Sequence, residues 1–179
     1  GERIARLQPH PTATELRPGL WRIRLPFHLE LNHVNVYLVR LAGNGWMMVD
    51  TGFGNSESWD ALQEGLERTG VAWSQIRQLF ITHTHPDHWG LAPRILGESG
   101  AKLSMHAIEA GNLRRLADAV AKPSLLDKRL RSWGTPEDQI LRITSAFLDI
   151  RQRFDAIEPD RVFEGGETIE TEALGPVQT

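Results

Sequence analysis

The sequence contains no cysteine, and this absence limits the chemistry available to the chain. Disulfides, thiolate metal ligands and a cysteine nucleophile are all excluded. Any metal ion must therefore be held by imidazole and carboxylate groups. The chain has seven histidines and 23 acidic residues among its 179 residues, so such groups are available.

A long apolar run and a strong excess of one charge are also missing. No stretch approaches the roughly 18 apolar residues that a membrane helix needs, and the N-terminus lacks the apolar core of a signal peptide. The formal net charge is −3, from 20 basic and 23 acidic residues mixed along the chain. We therefore expect a cytoplasmic protein whose partners include neither a membrane nor a nucleic acid.

Length and composition predict a single globular domain over residues 1–179, with 40% hydrophobic and 24% charged residues. Three parts follow one another along the chain: a strand-rich part at 20–106, a mostly helical segment at 107–157 and a closing hairpin at 160–171. Strands that alternate with helices ahead of a helical segment indicate an α/β (α+β) fold.

The strand-rich part begins with a predicted hairpin. Alternating or β-branched segments predict strands at 20–27 and 34–41, and an Asn-Gly turn leads into a strand at 46–49. A helix follows, which we expect Ser56 to cap and Gly70 to end. Further elements are predicted as a strand at 78–82, a helix at 86–98 and a strand at 101–105.

The last predicted helix carries one continuous apolar face. Its apolar residues recur at spacings of three and four, which is the period of an α-helix. We expect this face to pack on the domain's own sheet. The alternative is a seam for a partner helix, although a strict coiled coil would run longer. The residues of the face are Ile140, Ile143, Phe147, Ile150, Phe154 and Ile157.

Three histidines and one aspartate crowd together between a predicted strand and a predicted helix. His83 and His85 are two apart in extended chain, so their side chains point to the same side and can hold one ion. Pro86 suits the first helical position, which places Asp87 and His88 in the first turn. Imidazole with carboxylate favours a first-row ion, Zn²⁺ above all. The alternative is a polar turn of solvated histidines, which is disfavoured because crowded imidazoles repel when protonated.

Three segments of the sequence resemble the first half of a metallo-β-lactamase-fold hydrolase. They are Asn35-Val36-Tyr37-Leu38-Val39, Val49-Asp50-Thr51-Gly52 and Phe80-Ile81-Thr82-His83-Thr84-His85-Pro86-Asp87-His88-Trp89-Gly90. The resemblance is close over roughly residues 20–106. The helical segment is similar to the family only in the kind of secondary structure that it contains. It implies one sheet-plus-helices half of the αββα sandwich of that family.

The resemblance also implies a site for two metal ions, either zinc or another divalent first-row metal. His83 and His85 would bind the first ion, and Asp87 and His88 the second. Asp87 would in addition act catalytically by orienting the attacking water. Asp50 would support the cluster, although a hydrogen bond to its own Thr-Gly loop explains this residue equally well. The implied reaction cleaves a small-molecule ester, thioester, lactone or β-lactam by a metal-bound hydroxide.

The family pattern demands further ligands that this sequence does not show. They are a third histidine for the first ion, a bridging aspartate and a last histidine for the second ion. We therefore expect a domain that is incomplete at its C-terminus. His106 is the one histidine after the cluster, and we interpret it as a surface or helix-cap histidine in preference to a substitute ligand.

An incomplete domain would expose an apolar sheet face, which predicts a homodimer or a domain-swapped oligomer. The alternative to a hydrolase is then a truncated, non-catalytic metal-binding fragment that forms a dimer. Catalysis needs both a filled metal site and an open position for substrate, so complete metal coordination would distinguish the two hypotheses.

Overall fold

The computed structural model describes residues 12–27, 32–121, 123–151 and 157–179, and nine strands within them form one large sheet and a separate hairpin. In chain order the strands are β1 (Ala13–Arg17), β2 (Leu20–Pro26), β3 (His33–Arg40), β4 (Trp46–Val49), β5 (Ile76–Ile81), β6 (Lys102–His106), β7 (Arg161–Phe163), β8 (Thr168–Thr171) and β9 (Gly175–Gln178). Strands β1 to β7 are neighbours in chain order, antiparallel up to β4 and parallel from β4 to β7. Strands β8 and β9 pair antiparallel with each other.

Helices connect the parallel strands of the large sheet. They are α1 (Ser56–Thr69), α2 (Pro86–Trp89), α3 (Ala92–Ser99), α4 (Ala107–Ala121), α5 (Pro123–Ser132) and α6 (Glu137–Arg151), with a short 3-10 helix at Trp73–Gln75. Helix α1 follows β4, helices α2 and α3 follow β5, and helices α4 to α6 follow β6. In the described ranges, no helix has both the length and the apolar character that crossing a membrane requires.

One face of the large sheet is buried beneath helices α1, α3 and α4. Alternate strand residues such as Ile23, Leu38 and Leu79 are fully buried there, in one cluster with Trp59 and Leu62 of α1. Burying one such side chain stabilises a fold by about 1.5–3 kcal/mol. Because this cluster holds most of the buried apolar side chains among the described residues, it is the main core. Helix α1 therefore packs its apolar side on this face of the sheet.

The second face of the sheet differs from the apolar surface that the sequence predicts. Near its middle Val39, Met47 and Phe163 are buried together with Ile169, which the β8–β9 hairpin contributes. Strands β2 and β3 turn polar side chains to this same face. These half-buried residues are Arg22, Arg24, Asn35 and Tyr37. In the part of the chain that the structure describes, the predicted apolar face is thus partly covered and partly polar.

The predicted closing hairpin at 160–171 is wrong. Strand β7 joins the large sheet parallel to β6, with Ser104 opposite Arg161 and His106 opposite Phe163. Strand β8 pairs instead with β9, a strand that the sequence analysis did not predict. The physical reason is that β6 offers an edge for pairing, and pairing there buries Phe163 completely.

Two helix predictions also need correction. The helix predicted at 86–98 is divided into α2 and α3, because Pro93 has no N–H to donate to the carbonyl of Trp89. The cap of α1 is Asn55 and not Ser56, since the Asn55 side chain accepts a hydrogen bond of 2.8 Å from the backbone three residues later. The first difference divides one predicted helix into two, and the second moves a helix cap by one residue.

The predicted apolar face of the last helix is confirmed only in part. Ile140 of α6 is 1% exposed, but Ile143 is 38% exposed. Helix α6 packs mainly on α5 and α4, so Ile140 is buried within the helical segment and not on the sheet. Ile157, beyond the helix, packs half-buried against the main core. The side chains of Phe147 and Ile150, and residue Phe154, lie outside the described residues.

The end of α2 touches the loop that follows β4, backbone against backbone. A Cβ atom added at Gly90 would overlap the backbone nitrogen of Gly54 and the carbonyl oxygen of Pro86. A Cβ atom added at Gly54 would lie only 2.8 Å from the carbonyl oxygen of Gly90. Glycine at both positions therefore lets the two segments meet, and this contact fixes the histidine cluster relative to β4.

Replacing Gly90 by alanine is expected to destabilise the fold by about 1–3 kcal/mol, because the added methyl group forces the two backbones apart. The backbone of Gly90 is right-handed helical, with φ −60° and ψ −27°, so the cost is steric and not conformational. Gly97 of α3 is the matched control, since an added Cβ there meets nothing within 4 Å. Gly97→Ala should stabilise by about 0.5–1 kcal/mol. Urea unfolding of the metal-free protein measures both, and equal effects would contradict the close approach.

Candidate metal centre

The histidine cluster lies at the carboxyl-terminal edge of the parallel strands. Strand β5 ends at Ile81, and residues 82–85 lead to Pro86, the first residue of α2. The same edge receives Asp50 after β4 and the start of α4 after β6. Because neighbouring parallel strands end at one edge, side chains from three separate segments converge there.

The imidazoles of His83 and His85 face each other. Nε2 of His83 lies 3.0 Å from Nδ1 of His85, and the two ring centroids are 4.7 Å apart in an edge-to-face arrangement. The backbone of His85 is extended, with φ −73° and ψ 143°, as the predicted alternation of side chains requires. These two nitrogens form the first donor pair.

A second donor pair stands beside the first. Nε2 of His88 lies 3.4 Å from Oδ2 of Asp87, and both residues belong to the first turn of α2. The ring centroids of His83 and His88 are 4.0 Å apart, so the two pairs adjoin. The structure therefore brings together all four side chains that the sequence predicts as metal ligands.

The spacing within each donor pair suits a metal ion. Zn–N bonds of about 2.0–2.1 Å at tetrahedral angles separate two ligand atoms by about 3.3 Å. The observed separations of 3.0 Å and 3.4 Å are close to that value. Among the residues that the structure describes, no three histidine, aspartate or glutamate side chains are grouped to hold one ion. Each pair would therefore leave coordination positions for water, a substrate or further donors.

Asp50 supports the cluster from behind. It is 6% exposed, and its backbone is left-handed with φ 60°. Oδ1 accepts hydrogen bonds from the backbone N–H and the hydroxyl of Thr82, at 2.8 and 2.9 Å, and Oδ2 lies 2.8 Å from Nδ1 of His88. Because a carboxylate only accepts, Nδ1 of His88 carries the hydrogen and Nε2 presents its lone pair beside Asp87. Of the two interpretations of Asp50, this geometry favours the supporting one.

Thr82 extends that support to His83, and the sequence analysis did not single it out. The Thr82 hydroxyl has one hydrogen, which it donates to Asp50. Its oxygen lies 3.0 Å from Nδ1 of His83 and therefore accepts the hydrogen of that ring nitrogen. Nε2 of His83 then presents its lone pair towards His85. One buried carboxylate thus sets the tautomer of an imidazole in each pair.

The pKa values of the two supported histidines, His83 and His88, are shifted in opposite directions. The hydrogen bond to Asp50 raises the pKa of His88, and the negative charges of Asp50 and Asp87 add to that rise against the effect of burial. Burial lowers the pKa of His83, and the neighbouring imidazoles of His88 and His85 lower it further. Since a metal ion binds the neutral imidazole, it competes with a proton chiefly at His88.

Thr51 fixes the helix that carries the second pair. It is fully buried, and its backbone N–H and hydroxyl both donate to the carbonyl of His88, over 2.8 and 3.0 Å. Its hydroxyl oxygen accepts a hydrogen bond of 3.1 Å from the backbone N–H of Leu91. The Asp-Thr-Gly segment after β4 therefore holds the cluster through Thr51 as well as through Asp50.

His106 caps the helix that follows its strand. Its Nδ1 accepts a hydrogen bond of 3.1 Å from the backbone N–H of Ile108, at the start of α4. This contact occupies one of the two ring nitrogens of His106. It agrees with the interpretation of His106 as a helix-cap histidine in preference to a substitute metal ligand.

Comparison with known proteins identifies similar sequences. A family model, that of the metallo-beta-lactamase superfamily, matches residues 29–178, a range that includes the cluster and its supporting residues. A curated relative, "Probable metallo-hydrolase YqjP" of Bacillus subtilis (strain 168), is 41% identical over 69 residues. That alignment covers 38% of this chain and 21% of the relative.

Solved structures of similar fold extend the comparison. The metallo-beta-lactamase family protein TTHA1429 from Thermus thermophilus is 27% identical, with a TM-score of 0.71, over 88% of this chain and 50% of that chain. A beta-lactamase domain protein from Burkholderia ambifaria is 22% identical, with a TM-score of 0.61, over 90% of this chain and 46% of that chain. The predicted fold class is confirmed. The chain spans about half the length of these two structures.

In the metal-free protein, His88 is expected to keep its proton to a higher pH than His83. Asp50→Asn should lower the pKa of His88, because the accepting carboxylate is lost, while asparagine tolerates the left-handed backbone at this position. Zinc affinity of the wild type should fall as the pH falls through the pKa of His88, since the proton then displaces the ion. NMR titration of the imidazole resonances measures the order, and a reversed order would contradict the assigned hydrogen bonds.

Proposed function

The chain belongs to the metallo-beta-lactamase superfamily, and on this basis we propose that it acts as a zinc-dependent hydrolase. The proposed substrates are small molecules with an ester, thioester, lactone or β-lactam bond. The proposal rests on two adjoining donor pairs, His83 with His85 and Asp87 with His88. In each pair a single buried carboxylate sets the tautomer of one imidazole, that of His88 directly and that of His83 through Thr82.

The four donors divide between two ions in this proposal. His83 and His85 would hold the first, and Asp87 and His88 the second. Zinc suits imidazole and carboxylate donors, and other divalent first-row ions are possible substitutes. When bound, such ions supply an activated water and polarise the bond to be cleaved. Asp50 keeps the lone pair of His88 directed to its ion, and through Thr82 it does the same for His83.

Asp87 is proposed to act in catalysis as well as in binding. Its side chain is 16% exposed, so it is accessible from solvent yet held in place by the first turn of α2. One carboxylate oxygen lies beside Nε2 of His88, where an ion would be shared between them. The other oxygen can accept a hydrogen bond from the attacking water and orient it towards the substrate.

The surroundings of the cluster favour an uncharged carbonyl substrate over a phosphodiester. Among the described residues, carboxylates and hydroxyls bond residues 82–91, the segment that carries the cluster, through Asp50, Thr51, Thr82 and Glu109. A phosphodiester site would call for arginine or lysine near the scissile group. We therefore propose carbonyl substrates and no nucleic acid.

A second candidate function is metal binding without turnover. The observation that favours it is that the donors come in pairs and not in threes among the described residues. With two protein ligands for each ion, binding should be weaker and the ion should retain more water. A second copy of the chain, in a homodimer or a domain-swapped oligomer, is our proposed source of further donors.

Protein purified without chelator is expected to contain about two zinc ions per chain and to cleave at least one substrate of a panel. The panel holds an ester, a thioester, a lactone and a β-lactam. Asp87→Asn should lower turnover by about 10²–10⁴-fold, because it removes both a ligand and the group that orients water. Asp60→Asn, at an exposed position of α1, is the matched control and should leave turnover unchanged. Zinc without turnover would favour the second candidate, and absence of zinc would contradict both.

The proposed oligomer has its own test. Sedimentation equilibrium of the zinc-loaded protein is expected to give twice the chain mass of 20.2 kDa. If donors are shared between copies, removal of zinc by chelator should shift the population towards monomer. A monomer at every protein concentration, with zinc bound, would rule out a second copy as the source of ligands.

A further inference from the structure

Thr84 separates the two histidines of the first donor pair. In an extended segment alternate side chains point to opposite sides, so Thr84 faces away from the ion that His83 and His85 would hold. On that far side it meets Glu109 of α4. Oε2 of Glu109 accepts hydrogen bonds from the backbone N–H of Thr84, at 2.8 Å, and from its hydroxyl, at 2.9 Å.

Glu109 is itself held in one orientation by its own helix. The amide of Asn112 donates to Oε1 of Glu109 over 3.0 Å. Arg115 donates to Oδ1 of Asn112 over 3.0 Å, which leaves the amide nitrogen to face Glu109. The spacing of three residues puts these side chains on one face of α4. The carboxylate therefore reaches Thr84 from a fixed support.

The hydrogen bonds around Glu109 favour the ionised form of its carboxyl group. Burial by itself would raise the pKa of Glu109, but the hydrogen bonds from the hydroxyl and the N–H of Thr84 and from Asn112 lower it overall. The group thus remains an acceptor for all three donors. Its position in the first turn of α4 also favours its negative charge.

We propose that Glu109 is a positioning residue for the first metal position. By holding both polar groups of Thr84 from behind, it sets the rotation of the segment 83–85. That rotation decides where Nε2 of His83 and Nδ1 of His85 point. The inference rests on the proposed function, because it concerns the ion that this pair would hold. It gives the helical segment that starts with α4 a role at the metal centre.

A purely structural role of Glu109 makes a different prediction from a positioning role. If the carboxylate only ties α4 to the sheet edge, its loss lowers stability and disturbs both donor pairs alike. If it positions the first pair, its loss affects zinc binding there, while the second pair keeps its support from Asp50 and Thr51. Selectivity between the two binding steps therefore distinguishes the roles.

The test is a zinc titration of the metal-free protein, followed by calorimetry and by the imidazole NMR resonances that identify each step. Glu109→Ala should weaken the step seen at His83 and His85 by about 10–100-fold and leave the step seen at His88 unchanged. Glu109→Gln keeps an oxygen that accepts from Thr84 but turns its amide N–H groups towards the amide of Asn112, so its affinity should lie between those of the wild type and Glu109→Ala. Glu98→Ala, at an exposed glutamate of α3, is the matched control and should change neither step.

Three results would overturn the inference: equal weakening of both steps, no weakening of either, or Glu109→Gln as weak as Glu109→Ala. The last would assign the effect to charge and not to position. Should Glu109→Ala fail to fold, Thr84→Val removes only the hydroxyl bond and should weaken the first step alone, by about two- to tenfold. A wild type that binds no zinc would contradict the proposed function itself, whereas two normal steps in every variant would contradict the positioning role alone.

Discussion

The buried carboxylate of Asp50 is the constraint on which the rest of the candidate metal centre depends. A carboxylate withdrawn from water costs free energy unless hydrogen-bond donors surround it. The donors here are the backbone and hydroxyl of Thr82 and the ring of His88, which come from the end of β5 and from α2. Satisfying one charge therefore brings three chain segments together. The left-handed backbone of Asp50 is tolerated because these contacts determine it so completely.

The same constraint links stability to chemistry. The contacts that satisfy Asp50 also fix the tautomers of His83 and His88, so the neutral rings present lone pairs where an ion would bind. The close approach of Gly54 and Gly90 holds the two backbones near enough for this network to form. A protein that lost the network would lose folding free energy and ligand geometry together. Asp50 and Thr51 accordingly lie at the end of β4, in the same glycine-containing loop that carries Gly54.

Much of the fold and the clustering of four candidate ligands could be predicted from the sequence, because their signals are local. Alternation of apolar residues predicts β2 and β3, and Gly70 ends α1 in the left-handed conformation expected of a helix stop. The spacing of His83, His85, Asp87 and His88 is a chelate within six residues. Strand β1 was missed although the Pro-Gly turn before Leu20, with Gly19 at φ 79°, is a local signal for a preceding strand.

What the sequence could not show are contacts between distant segments. The bond from Thr84 to Glu109 spans 25 positions and that from Thr51 to His88 spans 37, and neither leaves a periodic pattern. Strand β7 pairs with β6 across 57 positions, from Ser104 to Arg161. The sequence did not indicate this pairing, because the glycine turn after β7 predicts a local hairpin instead. The residues that support this site are thus harder to predict than its candidate ligands, because the four candidates are close together in sequence and the residues that support them are not.

The two donor pairs end up supported from different parts of the fold. The second pair depends on the loop after β4, through Asp50 and Thr51, and so on the sheet. The first pair shares the Asp50 network through Thr82 but also bonds to α4 through Thr84. By linkage, an ion bound to the first pair would stabilise the first turn of α4, and a change in that helix would alter the affinity for the ion. The helical segment is therefore the part of the chain best placed to tune the first ion independently of the second.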